Sequence, residues 1–123
     1  MKLIIAGSRH LRPDFGFILS AIKMLKPGTI TEVVSGCASG VDQEGEHWAS
    51  HMNIPVMRFP ADWIKLGKSA GPIRNEQMAK HADCLLLIWD GKSLGSKNML
   101  SNMKKLNKPV FEVIIKSDGK TTV

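Results

Sequence analysis

Residues 31–52 read TEVVSGCASGVDQEGEHWASHM. Thr31–Ser35 is an apolar run of strand length, and Val41, Gly45, Trp48, Ala49 and Met52 fall on one face at helical spacing. A buried strand that passes through a turn of small residues into an amphipathic helix is the first half of a strand-helix-strand crossover. That crossover is the unit from which parallel sheets are built.

The rest of the chain repeats this rhythm. Lys2–Ala6, Pro55–Phe59, Asp83–Trp89 and Pro109–Ile115 are further apolar runs of the length of buried strands. Ile18, Ala21, Ile22 and Leu25 form a helical stripe, as do Met99, Met103 and Leu106, and Pro72 opens a shorter helix that runs to about His81. Strands alternating with helices imply right-handed crossovers. The expected fold class is therefore α/β, a single Rossmann-like three-layer sandwich with a mostly parallel sheet of about five strands. The domain is expected to occupy residues 1–115, with residues 116–123 as a flexible tail, and there is no internal repeat.

A chain of 123 residues suits one domain with one core. Its composition, 43% hydrophobic and 23% charged, is that of a globular protein in water, and no apolar run is long enough to cross a bilayer. No membrane partner is expected. The first strand stops at Gly7, short of a signal-peptide core, which leads to the expectation of a cytoplasmic protein. Cys37 and Cys84 show no disulfide or metal-clip spacing and are read as reduced thiols. The net charge of +6 suits an anionic partner, nucleotide or nucleic acid, and serves solubility equally well.

In a sheet of this kind ligands gather beyond the carboxyl ends of the strands, and four loops fall there. In the first, Ser35, Gly36, Cys37, Ala38 and Gly40 precede a helix. The two glycines let backbone N–H groups approach a phosphate, and the helix directs its positive end to the same point. Asp42 then caps N–H groups or accepts from a ribose hydroxyl. A tight turn with an acid at the helix start reads this loop equally well. Gly7-Ser8-Arg9 follows the first strand, residues 60–78 follow the third, and Trp89-Asp90-Gly91-Lys92-Ser93-Leu94-Gly95-Ser96 follows the fourth.

Residue types suggest roles. Arg9 and Arg74 can grip phosphate or carboxylate with a planar fork, and Ser93, Gly95 and Ser96 resemble a second phosphate nest. Asn75 offers an amide to a base edge or a ribose, and Lys68 is either a phosphate partner or a solvated cation. Trp63 and Trp89 either stack on a base or pack at the sheet rim. Convergence of four such loops predicts a site for a nucleotide or nucleotide-derived ligand.

Taken in order, Gly7-Ser8-Arg9, the SGCASGVD loop, Phe59-Pro60-Ala61-Asp62-Trp63, Gly67-Lys68, Gly71-Pro72-Ile73-Arg74-Asn75 and the Trp89–Ser96 segment resemble the YspA-like branch of the SLOG superfamily. The superfamily includes the LONELY GUY phosphoribohydrolases and DprA. The resemblance spans about Met1 to Ile115. It implies a Rossmann-like fold, pairing into a homo-oligomer, and loops that bind nucleotides, their derivatives or, as in DprA, single-stranded DNA.

The chain departs from the family pattern at two places. Cys37 stands where the branch has the second glycine of Ser-Gly-Gly-Ala. When Gly95-Ser96 is placed on the Gly-Thr of the LONELY GUY loop, Asn98 and Met99 fall where those enzymes carry a catalytic glutamate. Hydrolysis of an N-glycosidic bond needs a carboxylate at the sugar carbon. Asp42 and Glu76 are the candidates, with Asp62 and Asp90 near the inferred site.

His47 and His51 share a helix face at metal-pair spacing without a third ligand, so neither a metal nor another cofactor is expected. Lys104, Lys105 and Lys108 either complement a helix dipole or widen a nucleic-acid footprint. Three functions stay open at this point. They are a nucleotide-binding sensor, carrier or sequestering module, a nucleoside or nucleotide N-glycosidase or phosphoribohydrolase, and a DprA-like binder of single-stranded DNA.

Overall fold

Each of the five apolar runs becomes a parallel strand. The computed structural model describes residues 1–25 and 28–122. Strands β1 (Lys2–Gly7), β2 (Glu32–Ser35), β3 (Val56–Arg58), β4 (Cys84–Trp89) and β5 (Val110–Ile115) lie in the order β3-β2-β1-β4-β5. The expected α/β sandwich is the observed one. In the middle of the sheet Ile4 pairs with Val34 on one side and Leu85 on the other.

Side-chain alternation along the strands divides the core in two. Leu3, Ile5, Leu86 and Ile88 face helices α1 (Phe15–Leu25) and α2 (Val41–His51), where Ile18, Ile22 and Trp48 meet them. Ile4, Ala6, Leu85 and Leu87 face α4 (Ala70–His81) and α5 (Leu94–Lys105), against Met78, Met99 and Met103. β4 is buried along its whole length because it is covered on both faces.

Strand order reverses between β1 and β4, and their carboxyl ends are joined there. Ser8 N donates to the Ile88 carbonyl at 3.2 Å, and Asp90 N donates to the buried Ser8 hydroxyl at 3.1 Å. Gly7 permits this closeness, since a Cβ at that position would fall on the Ile88 carbonyl oxygen.

Three details differ from the sequence reading. A short helix α3 (Trp63–Leu66) and a 3-10 turn (Gly67–Ser69) lead into α4, which starts at Ala70 rather than Pro72. Pro72 sits within the first turn, where its missing N–H has no helical partner to lose. Residues 116–122, expected as a tail, fold back on the sheet. Lys116 N donates to the Lys120 carbonyl at 2.9 Å, and β6 (Thr121–Thr122) pairs antiparallel with β5 as a sixth strand. Val123 lies outside the described residues. Among those described, no helix is long and apolar enough to cross a membrane.

Candidate functional site

A cavity of about 540 Å³ opens where the carboxyl ends of β1 and β4 meet the N-terminus of α5. Its size is that of a small-molecule site. The β1–α1 loop contributes Gly7, Arg9 and His10, and the β2–α2 junction contributes Ala38 and Asp42. Trp63 and Lys68 come from the approach to α4, and Arg74 and Asn75 from α4 itself. Asp90, Ser93, Gly95, Ser96 and Asn98 close the far side, with Met78, Leu94 and Met99 as apolar lining.

The N-terminus of α5 supplies the anion-friendly end. Gly91, at φ 82°, bends the chain after β4, and Asp90 Oδ1 accepts from Lys92 N at 2.8 Å and Ser93 N at 2.9 Å. Those amides hold the Asp90 carboxyl below its ordinary range, led by that of Lys92, and His10 adds a contact at 3.6 Å. Asp90 therefore shapes the turn. Ser93 occupies the cap position without a side-chain capping bond, and no acid stands in the first turn of α5. Ser96 is 5% exposed, and its hydroxyl has no hydrogen-bond partner among the described residues. A buried hydroxyl left alone at a positive helix end invites a ligand oxygen.

Arg74 crosses from α4 to the β2–α2 loop. Its Nη1 donates to the Gly36 carbonyl, and its Nε donates to Asn75 Oδ1 at 2.9 Å. Desolvation lowers the Arg74 pKa, and the Asp42 carboxylate works against that shift. Asp42 is itself buried, with its pKa raised from 3.8 to about 6 by desolvation, against the pull of the Ala38 amide and Arg74. Ala38 N donates to Asp42 Oδ2 at 3.3 Å.

These contacts change the reading of the SGCASGVD loop. Cys37 N donates to Ser35 Oγ at 3.1 Å, so the amides of both Cys37 and Ala38 are engaged within the loop. A Cβ on Gly36 would press on Arg74 and Asp42, and one on Gly40 would press on the Ser8 and Arg9 carbonyls. The two glycines serve close packing inside the protein. Cys37 takes the left-handed conformation, φ 64°, that a glycine would accept without strain. Burial and the neighbouring Glu46 raise its thiol pKa. Ser35 Oγ donates to Glu46 Oε2 at 2.6 Å, and Glu46 also holds Arg58 at 2.9 Å.

Of the residues expected at the site, Gly7, Arg9, Ala38, Asp42, Trp63, Arg74, Asn75, Asp90, Ser93, Gly95 and Ser96 come together around the cavity. Ser8, Ser35, Gly36, Cys37, Gly40, Asp62, Trp89 and Gly91 do not line it. Asp62 caps α3, accepting from Lys65 N at 3.1 Å. Trp89 is 6% exposed, packs in the core, and donates through Nε1 to Glu112 at 2.7 Å, so it is not available to stack on a base. Trp63 is 48% exposed, with the Arg9 guanidinium carbon 5.8 Å from its ring centre.

Glu76 lies outside the cavity, exposed and paired with Lys80 at 2.9 Å, which lowers its pKa. His47 pairs with Glu44 at 3.6 Å, and no metal-holding group of three His, Cys, Asp or Glu exists among the described residues. Lys108, the third of the expected basic cluster, donates to the carbonyls of Ala79 and Ala82, each at 2.7 Å, and caps α4.

His10 and Asn98 were not singled out as ligand contacts by sequence reasoning. Asn98 Oδ1 accepts from Asn75 Nδ2 at 3.0 Å and from Asn102 Nδ2 at 3.3 Å, while Asn75 Nδ2 also donates to the Gly95 carbonyl at 3.2 Å. The available signal was the polar pair Asn98 and Asn102, four residues apart beside the buried stripe Met99 and Met103.

No family model matches the chain, and no solved structure matches it. It is similar to the gene 61 protein of Mycobacterium phage D29, with 34% identity over 85 residues that make up 64% of this chain and 68% of the phage protein.

Proposed function

The chain belongs to the same family as the gene 61 protein of Mycobacterium phage D29, and from the site itself we propose that it binds a nucleotide or a nucleotide-derived ligand. The observation that carries this reading is the buried, unpartnered Ser96 hydroxyl at the N-terminus of α5, in a cavity that also holds Arg9, Lys68 and Arg74. A phosphate there satisfies the hydroxyl and the free amides of the helix and neutralises the cations. Trp63, Leu94 and Met99 offer apolar surface to a base or sugar.

Membership of the YspA-like branch of the SLOG superfamily belongs to the same proposal, as do a homo-oligomeric state, a cytoplasmic location and a role as sensor, carrier or sequestering module. Titration of the protein with AMP, GMP, CMP and UMP by calorimetry tests it. Binding of at least one, lost on Arg74→Ala, is the expected result. No binding across the panel, or binding that Arg74→Ala leaves intact, contradicts it.

One observation favours turnover as a second reading. Asp42 is a buried carboxyl in the cavity wall with a pKa of about 6, suited to act near neutral pH on an N-glycosidic bond. Release of free base, abolished by Asp42→Asn, would establish it. Single-stranded nucleic acid is less well supported, because Trp89 packs in the core and Lys108 caps α4.

A further inference from the structure

The polar side chains between α4 and α5 hold each other in a determined order. A guanidinium has only donors, so the atom of Asn75 that meets Arg74 Nε at 2.9 Å is the oxygen. The amide nitrogen of Asn75 then faces α5, where its two N–H groups meet the Gly95 carbonyl and Asn98. Both are donors, so Asn98 answers with its oxygen, which also accepts from Asn102 Nδ2. One charged group thereby sets the orientation of two amides in series. The remaining polar atom of Asn98, its Nδ2, has no acceptor among the described residues, and Asn98 lines the cavity two residues after the unpartnered Ser96 hydroxyl.

We propose that Asn98 is a ligand-binding residue whose amide nitrogen donates to an anionic oxygen of the ligand, with its orientation imposed by Arg74 through Asn75. The assignment rests on the nucleotide-binding reading and names the chemistry at its anionic end. The ligand group that meets Asn98 is an acceptor without a proton of its own, as a phosphoryl oxygen is. It also gives a reason for an amide at this position. A carboxylate would present the cavity with a second acceptor facing the ligand anion.

Asn98→Asp removes the donor. An aspartate has the same shape and still accepts from Asn75 and Asn102, but it adds a negative charge as well as removing the Nδ2 donor. The Asn98 side-chain amide resonances of the unaltered protein are therefore followed in the same titration to separate contact from charge repulsion. Calorimetric titration with AMP, GMP, CMP and UMP is compared between this variant and the unaltered protein. The expected result is nucleotide binding weakened by about 10- to 100-fold, the scale of one charge-assisted hydrogen bond, with an unchanged melting temperature. Binding as tight as that of the unaltered protein overturns the assignment and leaves the functional reading standing. Failure of the unaltered protein to bind any of the four overturns both.

A variant that melts early shifts the decision to the unaltered protein. There the Asn98 side-chain amide resonances move on addition of the nucleotide that binds, and unmoved resonances overturn the assignment.

Discussion

A Cβ on Gly36 would stand 2.8 Å from Nη1 of Arg74, so the guanidinium of α4 occupies the space that a side chain in the β2–α2 loop would need. The second conflict, with Asp42 Oδ2 at 2.9 Å, also involves the end of a side chain. Side-chain ends can shift where backbone cannot. Gly36→Ala is therefore expected to weaken nucleotide binding by about tenfold and to change stability by less than about 1 kcal/mol. Calorimetry and urea unfolding of the same variant check both halves. Gly7→Ala is the contrast, because its Cβ would fall on the Ile88 backbone carbonyl. A loss above about 3 kcal/mol is expected there.

Asp42 makes stability depend on pH with a defined sign. Its pKa rises from 3.8 to about 6 on folding, so the folded state favours the protonated acid. The contribution is full below pH 3.8 and is lost as pH rises through about 6. Two pH units correspond to about 3 kcal/mol. Asn at this position does not titrate, so Asp42→Asn gains stability relative to the parent between pH 4 and pH 7.5, by up to about that amount. Urea unfolding at the two pH values measures the gain, and parallel pH profiles would count against the buried, titrating carboxyl.

Cys37 carries a side chain in the left-handed region at φ 64°. Glycine accepts that conformation without the clash, although it loses more freedom on folding. Cys37→Gly is expected to raise stability by about 0.5–1 kcal/mol. Chemical denaturation gives the value, and a loss would mean that the thiol packing outweighs the backbone strain.

The Lys108 ammonium satisfies carbonyls at the end of α4 that have no helical partner. Lys108→Met is expected to lower stability by about 1–2 kcal/mol. Lys104→Met and Lys105→Met, on the exposed side of α5, are expected to stay within about 0.5 kcal/mol. Equal losses at the three positions would remove the capping role.

The fold was legible because each of the five parallel strands announces itself. Cys84-Leu85-Leu86-Leu87-Ile88-Trp89 is an unbroken apolar run, and only a strand covered on both faces needs one. Helix α3, with four residues, and β6, with two, are too short to show a period. Trp89 was readable in principle, since it shares its parity with Leu85 and Leu87 and therefore their face of the sheet. At the site, glycine, hydroxyl and cation types brought Arg9, Arg74 and Ser96 to notice. Which groups the SGCASGVD amides meet depended on Asp42 and Ser35 folding back on their own loop, and the facing atom of Asn98 depended on Arg74, 24 positions away. Those are tertiary relations with no local pattern.

Native mass spectrometry of the purified protein, alone and with AMP, GMP, CMP and UMP, tests the central claim most directly. The expected result is a chain carrying one nucleotide mass per protomer, co-purified or added, that disappears in Arg74→Ala. A bare chain with every nucleotide at concentrations up to about 1 mM would contradict nucleotide binding at the junction of β1, β4 and α5.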